Sequence, residues 1–241
     1  MIGLGALMNT AAIALAGAAG HFIGRAFDEN RQSALIMACG VSTLFIGIAG
    51  AMQGMLTLEN GALVSGRAML VVLCLALGAL IGEMLGIEAW FERLGEWLKQ
   101  KTGNARDAGF VDAFVTASLT VCIGAMAIVG SIQDGILGDH TTLAVKSVLD
   151  FIIIVVMTAS MGKGCAFSAV PVLLVEGGMT LLARLIAPVM TDAATANLSL
   201  IGSILIFCVG LNLVWGKRVR VANMLPAVVL AVIAAFLPMG L

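Results

Sequence analysis

Six stretches of this chain, approximately 3–24, 33–56, 68–86, 109–132, 196–215 and 221–240, are apolar over the length a helix needs to cross a bilayer. About 20 residues of helix span the ~30 Å hydrocarbon layer. Lipid offers no partner to backbone amides, so only helices and closed barrels survive there. Residues 143–161 form a seventh apolar run, entered through Lys146 and Asp150 in its first two turns.

Composition decides between helices and a barrel. Hydrophobic residues make up 61% of the 241, charged residues only 11%, and mean hydropathy is +1.09. Aromatic residues are scarce at 5%, without a single Tyr, while Gly reaches 29. That profile suits closely packed helices and not an aromatic-girdled barrel. An all-α integral membrane protein follows, with residues 1–241 as a single polytopic domain. The formal net charge of −1 gives no field that would attract nucleic acid.

The region after residue 161 leaves two readings open. Gly162-Lys163-Gly164 precedes a short apolar run, 165–175, then Glu176-Gly177-Gly178, then 179–190. Either 165–190 is one span, broken at Glu176-Gly177-Gly178 and bent near Pro171, for eight crossings, or its first piece is re-entrant, for seven. Basic residues favour eight. Arg25 and Arg31, the set Arg93, Lys99, Lys101 and Arg106, then Lys163, and finally Lys217, Arg218 and Arg220 all fall on one side of an eight-helix arrangement. Short loops rich in Lys and Arg stay cytoplasmic, so both termini are expected outside. The opposite loops hold Glu59, Asp134, Asp139, His140 and Asp192, with Arg67 and Arg184 against the trend. The first run lacks a basic leader and carries Asn9, which reads as a retained helix and not a cleaved signal.

Residues 87–101, IEAWFERLGEWLKQK, place Ile87, Trp90, Phe91, Leu94, Trp97 and Leu98 at helical spacing against Glu88, Glu92, Glu96, Lys99 and Lys101. An interfacial amphipathic helix is expected there, with its tryptophans at the headgroup boundary. Weak internal similarity relates 115–135 to 157–177 and the second and third spans to the last pair. An inverted repeat is one reading of it.

Charged or strongly polar groups at membrane depth cost about 2.5–3.5 kcal/mol each on insertion scales, and chains keep them where they pair or line water. Lys146 and Asp150, four residues apart, share a helix face and can pair along it. Asp134, in SIQDGILGDH, is placed to meet Lys146 across the following hairpin, with Gln133, Ser147, Asp139 and His140 nearby. Asn9, Glu83, Ser118 and Asn212 are the remaining polar candidates within apolar runs. A pathway for a small solute or ion through Asp134, Lys146 and Asp150, supported by Asn9, Gln133, Glu83, Ser118, Ser147 and Asn212, is the leading expectation. A structural pair near an interface is the competing one for Lys146 and Asp150, and a capped, solvated turn for Asp139 and His140. A helix beginning after Gly164 could also turn its first amides, with Lys163, towards an anion.

Enzyme signatures are lacking. The chain has two histidines, His21 and His140, and no phosphate loop, HExxH, GxSxG or dinucleotide fingerprint. Cys39, Cys74, Cys122, Cys165 and Cys208 fall singly in separate apolar runs, unlike a zinc site or a disulfide framework. A soft-metal site using some of the 14 Met is the lesser reading. No enzyme, cofactor or metal is therefore expected, and transport would be passive or driven by an ion gradient. The second functional class is a structural or regulatory membrane protein forming homo-oligomers through small-residue faces such as ALAGAAGHFIG and LALGALIG.

Four segments, GALMNTAAIALAGAAGHFIG, LGALIGEMLGIE, FVTASLTVCIGAMAIVGSIQDGILGDHTTLAVKSVLDF and GLNLVWGKRVRVANMLPAVV, together resemble the domain of unknown function 554 family of bacterial multi-pass membrane proteins. The resemblance runs the whole chain and implies a helical protein of the bacterial inner membrane, with no activity attached. The family pattern falls on Asn9, Glu83, Ser118, Cys122, Gly124, Gly130, Asp134, Gly135, Gly138, Asp139, Lys146, Ser147, Asp150, Asn212, Asn223 and Pro226. The chain departs from it at Phe151, at Gly162–Cys165 and at Val175–Gly178. The resemblance therefore places Lys163 and Glu176 outside any shared function.

Overall fold

Two pairs of long helices, residues 4–24 with 141–161 and residues 29–55 with 192–215, form the frame of the molecule. The computed structural model describes residues 2–24, 28–59, 61–104, 107–122 and 125–236. Arg25, Arg106 and Gly124, and the side chains of Cys39, Glu59 and Arg184, lie outside the described residues.

In chain order the elements are α1 (Leu4–Gly24), α2 (Glu29–Met55), the antiparallel hairpin β1 (Leu56–Glu59) and β2 (Ala62–Ser65), α3 (Ala68–Leu85) and α4 (Ile87–Lys101). Then come α5 (Phe110–Cys122), α6 (Ala125–Leu137) and α7 (Thr141–Met161). The irregular helical segment α8 (Lys163–Leu181) leads to the short α9 (Ala183–Ile186). The chain closes with α10 (Asp192–Trp215) and α11 (Pro226–Ala234). Six helices, α1, α2, α3, α7, α8 and α10, are long and apolar enough to cross a membrane among the described residues. The pair α5 and α6 makes a seventh if counted as one bent span. The last expected span is shorter than its run of letters: the apolar helix covers Val221–Ala234.

Close glycine contacts fix the directions. A Cβ on Gly5 would meet Leu143, and one on Gly20 would meet Thr158, so α1 and α7 run parallel. Gly40 faces Val214, Gly47 faces Phe207 and Gly54 faces Leu200, so α2 and α10 run antiparallel. Gly78 on Ala227 and Gly82 on Asn223 make α3 and α11 antiparallel as well. Parallel α1 and α7 require the chain between them to cross the bundle an odd number of times beyond α2 and α3. The α5–α6 pair supplies that crossing: Phe110 starts it beside Gly164, and Asp134 ends it beside Gly5.

Four details differ from the sequence reading. The expected continuous helix over 109–132 is bent by 72° between α5 and α6. Glu176-Gly177-Gly178 does not break its span; Leu173–Gly177 is a π-turn within α8, and the helix continues to Leu181. Such a wide turn accommodates an extra residue without losing the helical course. The connection between α2 and α3 is a two-stranded hairpin and not a plain loop. Finally, the small-residue faces expected to mediate oligomers are occupied within the chain. Gly17 packs on Ala166, Gly20 on Val155 and Thr158, Gly78 on Ala227, and Gly82 on the Asn223 backbone.

The amphipathic α4 has the expected limits but a divided apolar face. Ile87, Phe91, Leu94 and Leu98 dock on the core, and Gly95 lets the helix approach Phe114 of α5. Trp90 and Trp97 instead point outward, each more than half exposed, where an amphipathic ring suits a headgroup layer. Outward-facing Leu, Ile, Val, Met and Phe side chains cover α1, α2, α3 and α7. A fold with so many large apolar side chains on its outside belongs in lipid.

Candidate functional site

Lys146 and Asp150 lie one turn apart on α7 and form the expected ion pair, both almost fully buried. Two further groups close on them. Glu176, carried by the π-turn of α8, places Oε1 3.4 Å from Lys146 Nζ. Asn9 of α1 donates from Nδ2 to Asp150 Oδ2 at 3.0 Å and to Glu176 Oε1 at 2.9 Å. The amide thus separates two carboxylates that the ammonium attracts.

The third Lys146 contact involves the break between α5 and α6. Nζ donates to the carbonyl of Val121 at 2.7 Å. An unbroken helix would give that carbonyl to the amide four residues on. Where the helix ends, its last carbonyls are unsatisfied and carry the negative end of the dipole. A cation there is both a hydrogen-bond donor and a charge complement. The broken helix and the buried lysine therefore explain one another.

Asp134 does not meet Lys146, contrary to expectation. It is fully buried near the end of α6, and its Oδ2 accepts the backbone amide of Gly5 at 3.0 Å, at the start of α1. That amide is one of the four a helix cannot satisfy itself, so the carboxylate acts as a cap supplied from another helix. Gly135, next in sequence, lies against the carbonyl of Thr180 on α8. Asp134 therefore sits on the same α1–α6–α8 seam as Asn9 and Glu176, at the end of the bundle where α1 begins.

Other expected contributors lie elsewhere. Ser118 and Ser147 return their hydroxyls to the carbonyls of Phe114 and Leu143, four residues back in their own helices. Gln133 is half-buried and accepts from Thr142 Oγ1 at 2.7 Å, pinning the α6–α7 hairpin. Asp139 accepts from the amide and hydroxyl of Thr141 at 2.9 and 2.7 Å. The Thr141 hydroxyl and amide hold its carboxylate below the usual range. This is a capped turn, and His140 Nδ1 is within 3.3 Å of the Gly138 carbonyl.

Glu83 and Asn212 are at the opposite end of the bundle and are not part of the Lys146 network. Asn212 caps the turn after α10, accepting the amides of Arg218 and Val219 at 2.9 Å and donating to the Val219 carbonyl at 2.7 Å. Glu83 pairs with Arg220 and accepts from Asn223 Nδ2 at 2.6 Å. Asn223 in turn accepts the amide of Glu88 at 2.7 Å, at the start of α4. Lys217 bridges Glu88 and Glu92, both at 2.7 Å. Burial opposes its charge, but the hydrogen bonds to Glu88 and Glu92 outweigh it and raise the Lys217 pKa. Glu83, Glu88, Glu92, Lys217, Arg220 and Asn223 line a cavity of about 470 Å³ at the basic end of the molecule. Lys163 is exposed, and Gly164 is packed against the Phe110 carbonyl, so the turn after α7 forms a tight helix contact and not an anion cradle.

Glu176 is the residue that sequence reasoning set aside. Its neighbours Gly177 and Gly178 read as a break, and its departure from the family pattern argued against it. The available signal was chemical: an acidic residue inside an apolar stretch of spanning length, 165–190, needs a partner at membrane depth.

The profile of the family described as "Protein of unknown function (DUF554)" matches residues 4–236. The chain is 27% identical over 232 residues to the uncharacterized protein YqgA of Escherichia coli (strain K12), covering 95% of this chain and 94% of that protein. It is 24% identical over 232 residues to the uncharacterized membrane protein YdfK of Bacillus subtilis (strain 168), covering 96% and 95%. No solved structure matches.

Proposed function

The chain belongs to the DUF554 family, whose description assigns no activity, and from that premise we propose that it is a transporter or channel for a small solute or ion. One observation carries the reading. Lys146, Asp150, Glu176 and Asn9 form a buried polar network inside a bundle with an apolar exterior, anchored on the Val121 carbonyl at the end of a broken helix. Discontinuous helices with ion-pairing side chains at membrane depth are how transport sites expose backbone dipoles to their cargo. A purely structural role fits less well, because replacing a buried ion pair by packed apolar residues is often neutral or stabilising.

The reading is of a carrier or pore and not of a catalyst, and any driving force is an ion gradient. It places the protein in the bacterial inner membrane with the basic end, containing Arg31, Lys99, Lys163, Lys217 and Arg220, in the cytoplasm. Homo-oligomers would use faces other than the glycine-lined ones already filled.

The test is charge displacement in proteoliposomes adsorbed on a solid-supported membrane, challenged with panels of amino acids, organic acids and inorganic ions. A solute-evoked current that disappears in Lys146→Met and Glu176→Gln, with both variants still monodisperse, supports transport. The absence of any evoked current across the panels, or currents identical in wild type and both variants, rejects it.

A further inference from the structure

Within the network just described, the charges do not balance. Among the described buried residues of the α1–α6–α7–α8 core, one ammonium, Lys146, accompanies three carboxylates, Asp134, Asp150 and Glu176. Fully ionised, that core holds an excess of two negative charges in a medium where an unpaired charge is expensive.

An independent observation points the same way. Four buried oxygens along the α1–α6–α8 seam have no hydrogen-bond partner: Asn9 Oδ1, Asp134 Oδ1, Glu176 Oε2 and Thr180 Oγ1. All four residues are at least nineteen-twentieths buried. Their positions are linked. Gly5 and Asn9 are one turn apart on α1, and Gly5 holds Asp134 while Asn9 holds Glu176. On α8, Thr180 follows Glu176 by four residues, and its backbone lies against Gly135, the neighbour of Asp134. Because the Asn9 NH₂ engages Asp150 and Glu176, the amide's fixed geometry turns Oδ1 away from them.

We propose that this seam is a binding site for a dehydrated monovalent cation of the sodium type, held by Asn9 Oδ1, Asp134 Oδ1, Glu176 Oε2 and Thr180 Oγ1. Hard cations select oxygen ligands, and a mixture of carboxylate, amide and hydroxyl oxygens suits a single charge. Softer or more highly charged metals are a poorer match: among the described residues, no three His, Cys, Asp or Glu side chains are grouped to hold one. The cation would satisfy the four orphan oxygens and offset part of the charge excess. Since Glu176 also touches Lys146, occupancy of the seam would be felt at the ion pair. The inference rests on the transport reading only in calling this ion the coupling ion; the site itself stands on the orphan oxygens.

The test uses the full chain in detergent, unfolded thermally with tryptophan fluorescence as the readout. Sodium chloride is compared with choline chloride at equal ionic strength and pH. A ligand that binds only the folded state raises stability with its concentration, so sodium is expected to raise Tm saturably, by at least ~3 °C. Asp134→Asn and Thr180→Val are each expected to abolish the rise, whereas Lys163→Gln, on the exposed face, keeps it. Equal Tm in the two salts, or a rise that survives Thr180→Val, overturns the site. Should Asp134→Asn fail to fold, Thr180→Val alone decides, since it removes one hydroxyl at nearly constant volume. A stability that follows pH but ignores sodium also overturns it, showing that protons neutralise the carboxylates. A sodium-dependent Tm without any solute-evoked current would leave the cation site standing and reject transport.

Discussion

Lys146 has three acceptors drawn from three helices: a carboxylate of its own α7, a carboxylate of α8, and the Val121 carbonyl near the end of α5. Its removal should therefore be felt as a loss of stability. Lys146→Met leaves buried carboxylates without their cation, and a loss of about 3–5 kcal/mol in stability is expected, measured as a lowered Tm in detergent. Glu176→Gln preserves shape and can still accept from Asn9, so it should fold with a loss of no more than ~2 kcal/mol while altering evoked currents. The Lys146–Asp150 pair was legible from sequence because four-residue spacing on a helix fixes a shared face. Glu176 was not, because its side chain reaches the pair only through a π-turn, which local propensity does not announce. The separation of Glu83 and Asn212 from that network was hidden for a related reason. A polar residue in an apolar run shows that it needs a partner, without showing at which end of the bundle the partner waits.

At the scale of elements, the basic-end cluster docks α4 on the bundle through Lys217, Glu88, Glu92 and Asn223. The raised Lys217 pKa means that this docking is fully supported below the ordinary lysine value and weakens as pH rises through the higher folded value. Lys217→Gln should therefore loosen α4 at neutral pH, seen as faster amide exchange over Ile87–Lys101. Because Lys217 is about half exposed, the effect on overall stability should stay under ~1 kcal/mol. A sharper structural dependence lies at the α3–α11 contact. A Cβ on Gly82 would fall 1.7 Å from the Asn223 carbonyl oxygen, so Gly82→Ala must push the helices apart. Overpacking of this kind costs typically ~1–3 kcal/mol, measurable as a lowered Tm. The limits of α4 were readable because its charges alternate with apolar residues at a helical period. The bend between α5 and α6 was hidden, since an apolar run of spanning length looks the same whether its helix is straight or interrupted.

For the molecule as a whole, the parallel packing of α1 on α7 and the antiparallel packing of α2 on α10 place the α6–α7 turn and the α7–α8 turn at opposite ends. In cells, a membrane-impermeant maleimide should label Asp139→Cys in intact spheroplasts but reach Lys163→Cys only after permeabilisation. Labelling of both from the same side would contradict the crossing by α7. Overall class, span positions and the sorting of basic residues were available from hydropathy and charge because those properties are set segment by segment. The assembly of the polar core was not, since Asn9 meets Glu176 across 167 positions of sequence, a distance no local period records.

That long-range meeting has a consequence for synthesis. At ~5–20 residues per second, the ribosome delivers Glu176 roughly ten to thirty seconds after Asn9. For most of that interval, until Asp150 of α7 arrives 141 positions after Asn9, the first helix sits beside the translocon or in bare lipid with its amide lacking both carboxylate acceptors, so a chaperone-like insertase that shelters polar helices should crosslink to it until α7 and α8 emerge.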